Sequence, residues 1–366
     1  MSRFLLALVA LLAAGVSFAQ SAPIHGAGAT FPAPVYARWA AQYRQSSGVE
    51  IHYEAIGSGI GVERIEHRQV DFGASDIPLT PAERERMGLL QFPVVIGGVV
   101  PVVNISGVKS GDLRLTGRVL ADIYLGKLHK WNDRAIAELN PKLDLPSSNI
   151  TVVHRADSSG TTQLWSEFLS RANPEWKAHV GAGKLLKWPA GVADVGNEGV
   201  ASSVQRTRMS IGYVEYAYAR QHQLSVVSLR NRDGRFVMPR RLAFEAAAAA
   251  ASWNSPADLD QALVDPAGAD SWPLVGASFI LLPIEAQAAS KTLEAIRFFD
   301  WALKNGQQTA EDLDYVPLPY TAVRQIEKAF ELLLQTSKRE KLAAAATPAD
   351  TAPSAKAKAA PFVPPR

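Results

Sequence analysis

The chain of 366 residues has no cysteine and only seven histidines. Without cysteine there is no disulfide framework, and no lipid can be attached through an N-terminal cysteine. A chain of this length buries enough surface to fold without such bridges. The histidines are scattered and show no ligand spacing, so no metal site is expected. Long apolar runs are missing beyond the N-terminus. Val94 to Val100 is too short to cross a bilayer and is broken by Gly97-Gly98. No Gly-x-x-x-x-Gly-Lys-Ser/Thr loop occurs; Gly181-Ala182-Gly183-Lys184 lacks both the frame and the hydroxyl. Gly57-Ser58-Gly59-Ile60-Gly61 has the wrong glycine spacing for a dinucleotide fingerprint, and no cofactor is expected. There is no Gly-x-Ser-x-Gly elbow and no internal repeat.

What is present begins with an address. Met1-Ser2-Arg3 is a short basic start, Phe4 to Val16 an apolar run, and Ser17-Phe18-Ala19 a small-x-small cleavage site. Residues 1–19 read as a secretory signal peptide cut between Ala19 and Gln20, with a retained membrane anchor as the alternative. The mature protein is expected to be soluble in the periplasm. The remainder has room for two domains, and 47% apolar with 20% charged residues is a globular composition. The net charge of +3 misleads. From residue 337 the sequence turns to Ala, Pro and Lys, without apolar periodicity, and residues 337–366 are expected to be a disordered tail. Lys338, Arg339, Lys341, Lys356, Lys358 and Arg366 stand there against Glu340 and Asp350, a surplus of four. Once that surplus and Arg3 are set aside, the body is slightly acidic. The basic balance is therefore no sign of nucleic-acid binding.

Three turns in the body share one design. Ile150 to Val153 reads as a strand, His154 to Thr162 as a polar turn, and Leu164, Trp165, Phe168 and Leu169 as one face of a helix. A strand, a tight turn and a helix start bring free N–H groups, hydroxyls and the positive end of the helix dipole to one point, which suits an anion. Arg155 adds a planar charged fork, and Asp157 could hold it. Equally, Ser159 could be an ordinary N-cap, and Arg155 with Asp157 a surface pair. Gly26 to Pro34 and Ile51 to Gly61 repeat the design, with Thr30 as an N-cap in the first. A short strand, Val70 to Ala74, ends at Ser75-Asp76. Asp76 sits where a strand leaves for a loop, a usual place for ligand contact, or else caps the helix begun near Thr80.

The rest alternates strands and helices, so the class is α/β. Trp188 to Glu198 reads as a glycine-rich loop, Gly199 to Arg206 as a short helix, and Thr321 to Leu334 as the last helix. Val94 to Val100 and Ser278 to Leu282 read as two buried strands crossing between lobes, with Gly97-Gly98 as a possible hinge. Residues 20–97 with 274–336 would form lobe I and residues 98–273 lobe II. A ligand would lie between them, at carboxyl ends of strands.

Six stretches together carry a resemblance: residues 26–34, Val-Asp-Phe-Gly-Ala-Ser-Asp at 70–76, residues 91–100, Asp-Ile-Tyr-Leu-Gly-Lys at 122–127, Arg-Ala-Asp-x-Ser-Gly-Thr at 155–161, and Ile-Gly-Tyr-Val-Glu-Tyr-Ala-Tyr-Ala at 211–219. From about Gly26 to about Ala329 the chain resembles the periplasmic phosphate-binding proteins of phosphate-specific ABC transporters. The resemblance implies a two-lobed clamshell that is not an enzyme. It implies inorganic phosphate as ligand, an inner-membrane ABC permease as partner and a monomer as the working form. It places Thr30, Phe31, Ser58, Asp76, Arg155, Ser159, Gly160 and Thr161 around phosphate, with Asp157 supporting Arg155. Ser158 departs from the glycine often found there, and the tail after Thr336 is longer than usual. A carboxylate at Asp76 suits an anion that keeps a proton, as phosphate does at neutral pH and sulfate does not; it would turn sulfate away. The alternatives are a receptor of the same fold for another oxyanion, a phosphate-ester hydrolase using Ser58 or Ser159, and a surface component acting through its tail.

Overall fold

The computed structural model describes residues 22–261, 263–284 and 289–346. The expected signal peptide and the last twenty residues of the expected tail lie outside these. The chain opens with β1 (Ile24–Gly28), α1 (Ala33–Ser47), β2 (Ile51–Ala55), α2 (Ser58–Glu66), β3 (Phe72–Ser75), α3 (Pro81–Met87) and the long β4 (Leu89–Asn104). Next come β5 (Arg114–Leu115), α4 (Gly117–Tyr124), α5 (Arg134–Ala137), β6 (Thr151–Arg155), α6 (Gly160–Ala172), α7 (Pro174–His179) and β7 (Val192–Asp194). They are followed by α8 (Gly196–Arg206), β8 (Ser210–Glu215), α9 (Tyr216–Gln221), β9 (Ser225–Val226), β10 (Ser228–Arg230), β11 (Phe236–Val237) and α10 (Arg241–Ala249). The chain returns through β12 (Val275–Pro283) and ends in α11 (Ala289–Asn305), α12 (Gln307–Asp312) and α13 (Tyr320–Ala346).

One strand joins the two halves. The sheet order is β2-β1-β3-β12-β4-β8-β6-β7. Residues Leu89 to Gly98 of β4 pair with β12, and Val99 to Asn104 pair with β8. The change of partner falls between Gly98 and Val99. On one side β1, β2 and β3 are parallel and run with β4 toward that point. On the other, β6 and β8 are parallel and run against β4 toward the same point. The carboxyl ends of both sets therefore face each other across the middle of β4. We call the elements around β1–β3 lobe I and those around β6–β8 lobe II.

Packing explains the glycines of the crossing. Gly97 and Gly98 lie within the strand, and a Cβ at Gly97 would meet the Phe31 ring at 2.8 Å. Gly98 seats the Phe244 ring in the same way. Trp272, fully buried, donates its indole N–H to the Val99 carbonyl at 2.9 Å and fastens the return to the crossing. Among the described residues no helix is long and apolar enough to cross a membrane.

Several boundaries differ from expectation, and Ser278 to Leu282, expected to cross between the lobes, lies in β12 beside β3 and the lobe I half of β4. Residues 192–194, expected in a loop, form β7 beside β6, and α8 begins at Gly196 instead of Gly199. The last helix runs on to Ala346, so ten residues assigned to a disordered tail are helical. Lys, Arg, Glu, Leu and Ala are all strong helix formers, and propensity extends a helix whose apolar periodicity has ended.

Candidate functional site

The carboxyl ends of the strands carry the site. β1 leads to Thr30 and Phe31, β2 to Ser58, β3 to Asp76, and β6 ends at Arg155. Three of the expected residues lie within one web. Ser58 Oγ accepts from the Asp76 N–H at 3.3 Å and from the Gly160 N–H at 3.2 Å, and donates to Asp76 Oδ2 at 3.4 Å. A Cβ at Gly160 would lie 2.5 Å from Asp76 Cβ and 2.8 Å from Ser58 Oγ. Only glycine lets the start of α6 come so close to lobe I. Thr161 belongs to a second web with Thr30, joined through Asn197, whose side-chain nitrogen lies 3.3 Å from the Thr161 hydroxyl.

Arg155 is not a surface residue. Its side chain is 1% exposed and that of Asp157 9%. Nε donates to Asp157 Oδ1 at 2.7 Å, and Nη2 donates to Oδ2. The fork therefore uses one edge on Asp157. Nη1, on the other side of the guanidinium, is buried with no hydrogen-bond partner among the described residues. An unpaired buried N–H on a permanent cation is costly, and it suits an oxyanion. Asp157 also accepts from the Gly196 N–H at 3.0 Å. Burial opposes its charge, but the Arg155 fork prevails and holds its carboxyl below the usual value.

Asp76 is 3% exposed and has the opposite balance. Burial pushes its carboxyl up to about 7, against the Ser278 hydrogen bond, the Arg155 charge and the Ser58 hydroxyl. Ser278 on β12 donates to Oδ1 at 3.0 Å, leaving Oδ2 on the side of Ser58 and Gly160. Asp76 is thus poised to hold or accept a proton near neutral pH. It caps no helix; Thr80 caps α3 in a capping box with Glu83.

The other expected residues take mixed roles. Ser159 is the N-cap of α6, accepting from the Thr162 N–H at 3.1 Å, and its own N–H is taken by the Lys184 carbonyl. Thr30 does not cap α1; Pro32 holds that position without a side-chain bond. The Thr30 hydroxyl instead accepts from Asn197, at 3.2 Å from its N–H and 2.7 Å from Nδ2. Phe31 is fully buried, and its carbonyl accepts from the Tyr315 hydroxyl at 2.7 Å.

This arrangement gathers hydroxyls, one cation, one protonatable carboxyl and helix starts from two lobes. The sequence model of the PBP superfamily domain matches residues 16–305. A phosphate-binding protein PstS of Pasteurella multocida is 48% identical over 87% of this chain and 92% of its own length. One of Haemophilus influenzae is 48% identical over 87% and 95%. The chain belongs to the PstS family of the PBP superfamily. Its fold also matches a solved structure of a high affinity periplasmic phosphate-binding protein bound with phosphate, with a TM-score of 0.67 at 20% identity, covering 84% of this chain and 93% of that one.

Set in the PstS family, the site holds residues that sequence reasoning missed. Asn197, Tyr218, Ser278 and Tyr315 are all buried and all touch expected site residues. Only Tyr218 lay within a quoted motif, and none had a signal of its own. His154, beside Arg155, stacks on Trp188 with ring centroids 4.6 Å apart. It is a packed side chain, and burial pushes its pKa down.

Proposed function

We propose that this chain is an extracytoplasmic receptor that captures inorganic phosphate between its lobes and delivers it to an inner-membrane ABC permease. Residues 20–97 with 274–336 and residues 98–273 would be the two bodies that close on it. The observation that carries the reading is a buried Arg155 Nη1 on lobe II, without a hydrogen-bond partner among the described residues, together with a buried lobe I carboxyl poised near neutral pH that feels its charge. The cation suits any oxyanion. The carboxyl suits one that shares a proton with it. Thr30, Phe31, Ser58, Ser159, Gly160 and Thr161 would supply the remaining donors. Hydrogen bonds to a charged group contribute about 1.5–3 kcal/mol each, so many are needed against the cost of stripping water from the anion. The relatives are named as binding proteins, and the chain is read as a receptor rather than an enzyme. The sequence of residues 1–19 supports export to the periplasm.

The test is titration calorimetry on the mature protein freed of anion, first with phosphate and then with sulfate. One-to-one phosphate binding without sulfate heat is expected. Binding of sulfate alone would overturn phosphate as the ligand and leave a receptor for another oxyanion. Binding of neither would reduce the turns to helix starts.

A further inference from the structure

We propose that Asn197 and Tyr218 of lobe II act as positioning residues that commit the Thr30–Phe31 turn of lobe I to donating into the cleft. This rests on the phosphate reading and deepens it.

The inference starts from counting protons. A hydroxyl offers one hydrogen and two lone pairs. Thr30 Oγ1 accepts both the Asn197 N–H and the Asn197 Nδ2–H, at 3.2 and 2.7 Å. Both lone pairs are then occupied, and the remaining hydrogen can only be given away. The unprotonated oxygens of an oxyanion only accept, so a hydroxyl held in this way suits them.

The Asn197 amide is itself fixed. Oδ1 accepts from the Glu215 backbone N–H at 2.9 Å, and an N–H can only donate. Oδ1 must therefore face Glu215, and Nδ2 must face the threonines. Its second hydrogen lies toward Thr161 Oγ1 at 3.3 Å. Asn197 is fully buried at the start of α8, where the Gly196 N–H is anchored on Asp157. The same carboxyl thus holds the Arg155 fork and the helix start that carries Asn197.

Tyr218 acts on the neighbouring peptide. Its hydroxyl donates to the Thr30 carbonyl at 2.6 Å. That carbonyl and the Phe31 N–H belong to one planar peptide, pointing opposite ways. A bond on the carbonyl fixes the direction of the N–H and polarises it. Both restraints come from lobe II and act on lobe I. The donor geometry at Thr30 and Phe31 is therefore completed only when the lobes meet, which links closure to grip on the anion.

The experiment is a double-mutant cycle read by phosphate calorimetry, with phosphate dissociation followed by stopped flow. Asn197→Ala in the wild-type background should weaken phosphate about tenfold or more. In a Thr30→Val background, where there is no hydroxyl to commit, the same change should cost about threefold or less. Equal losses in both backgrounds would mean ordinary structural damage and would overturn the inference. Tyr218→Phe keeps the ring and removes only the hydroxyl, so it serves even where Asn197→Ala does not fold. It should raise the dissociation rate about fivefold and leave association unchanged; an unchanged dissociation rate overturns the inference. A wild-type protein that gives no phosphate heat would instead reject the phosphate reading, before either variant is compared.

Discussion

At the scale of single residues, Asp76 decides most. Its folded pKa of about 7 lies above the ordinary 3.8 it would regain on unfolding. The folded anion-free protein therefore binds an extra proton in this window. The associated stability is fully present below about pH 4 and is lost as pH rises through about 7. The shift corresponds to roughly 4 kcal/mol. Asp76→Asn should remove that slope. Urea midpoints of the two proteins, compared from pH 4 to 8, should diverge in favour of the variant as pH rises; parallel curves would reject the buried, proton-holding carboxyl. The same variant loses the charge that faces a fully ionised anion, so it should bind sulfate. Calorimetry with sulfate on Asp76→Asn checks this, and continued exclusion would place the selectivity elsewhere. Asp76 and Arg155 were legible because charged residues at the ends of strand patterns are conspicuous. Asn197 and Ser278 were not. Their partners, Thr30 and Asp76, lie 167 and 202 positions away, and no local pattern says which Asn or Ser is buried.

At the scale of elements, local chemistry and tertiary context divide the work. α6 announces itself through Ser159, the apolar face and the strand before it. The N-cap bond from the Thr162 N–H to Ser159 Oγ should be worth about 1 kcal/mol, so Ser159→Ala should lower the unfolding free energy of the anion-free protein by that amount. Ser159→Thr should restore most of it. A urea titration of the three proteins settles the point, and an unaltered midpoint in Ser159→Ala would mean the cap carries no load. α8 is the opposite case. Its N-cap is Val195, which makes no side-chain bond, and glycines at 196 and 199 resemble a loop. The helix start is secured from outside instead, by Asp157 on the Gly196 N–H. A helix whose first turn is held by a distant carboxylate has no signature in its own sequence.

At the scale of the whole molecule, the alternation of strands and helices gave the class, and the first apolar run marked the crossing, whereas the second, Ser278 to Leu282, stays within lobe I. The meeting of the lobes was not readable, because it depends on shapes brought together from separate turns. One such approach is between α2 and the turn before α6. The Gly59 N–H donates to the Ser158 carbonyl at 3.1 Å, and a Cβ on Gly59 would overlap Ser158 Oγ and Cβ. Ser158 thus fills the space that Gly59 leaves open. Gly59→Ala should act as a wedge. Within lobe I alone it replaces a helical glycine by alanine, which helices favour, so the anion-free protein should be no less stable. Relief of the overlap needs the lobes to separate or the Ser158 backbone to shift. Phosphate affinity should therefore fall about tenfold or more. Ser158→Gly removes both overlapped atoms, so adding it to Gly59→Ala should return most of the affinity. Calorimetry on the two single variants and the pair gives the answer. Full affinity in Gly59→Ala would mean that the anion is held without this contact. A loss that Ser158→Gly fails to repair would mean that the glycine serves lobe I itself and not the closing of the two lobes.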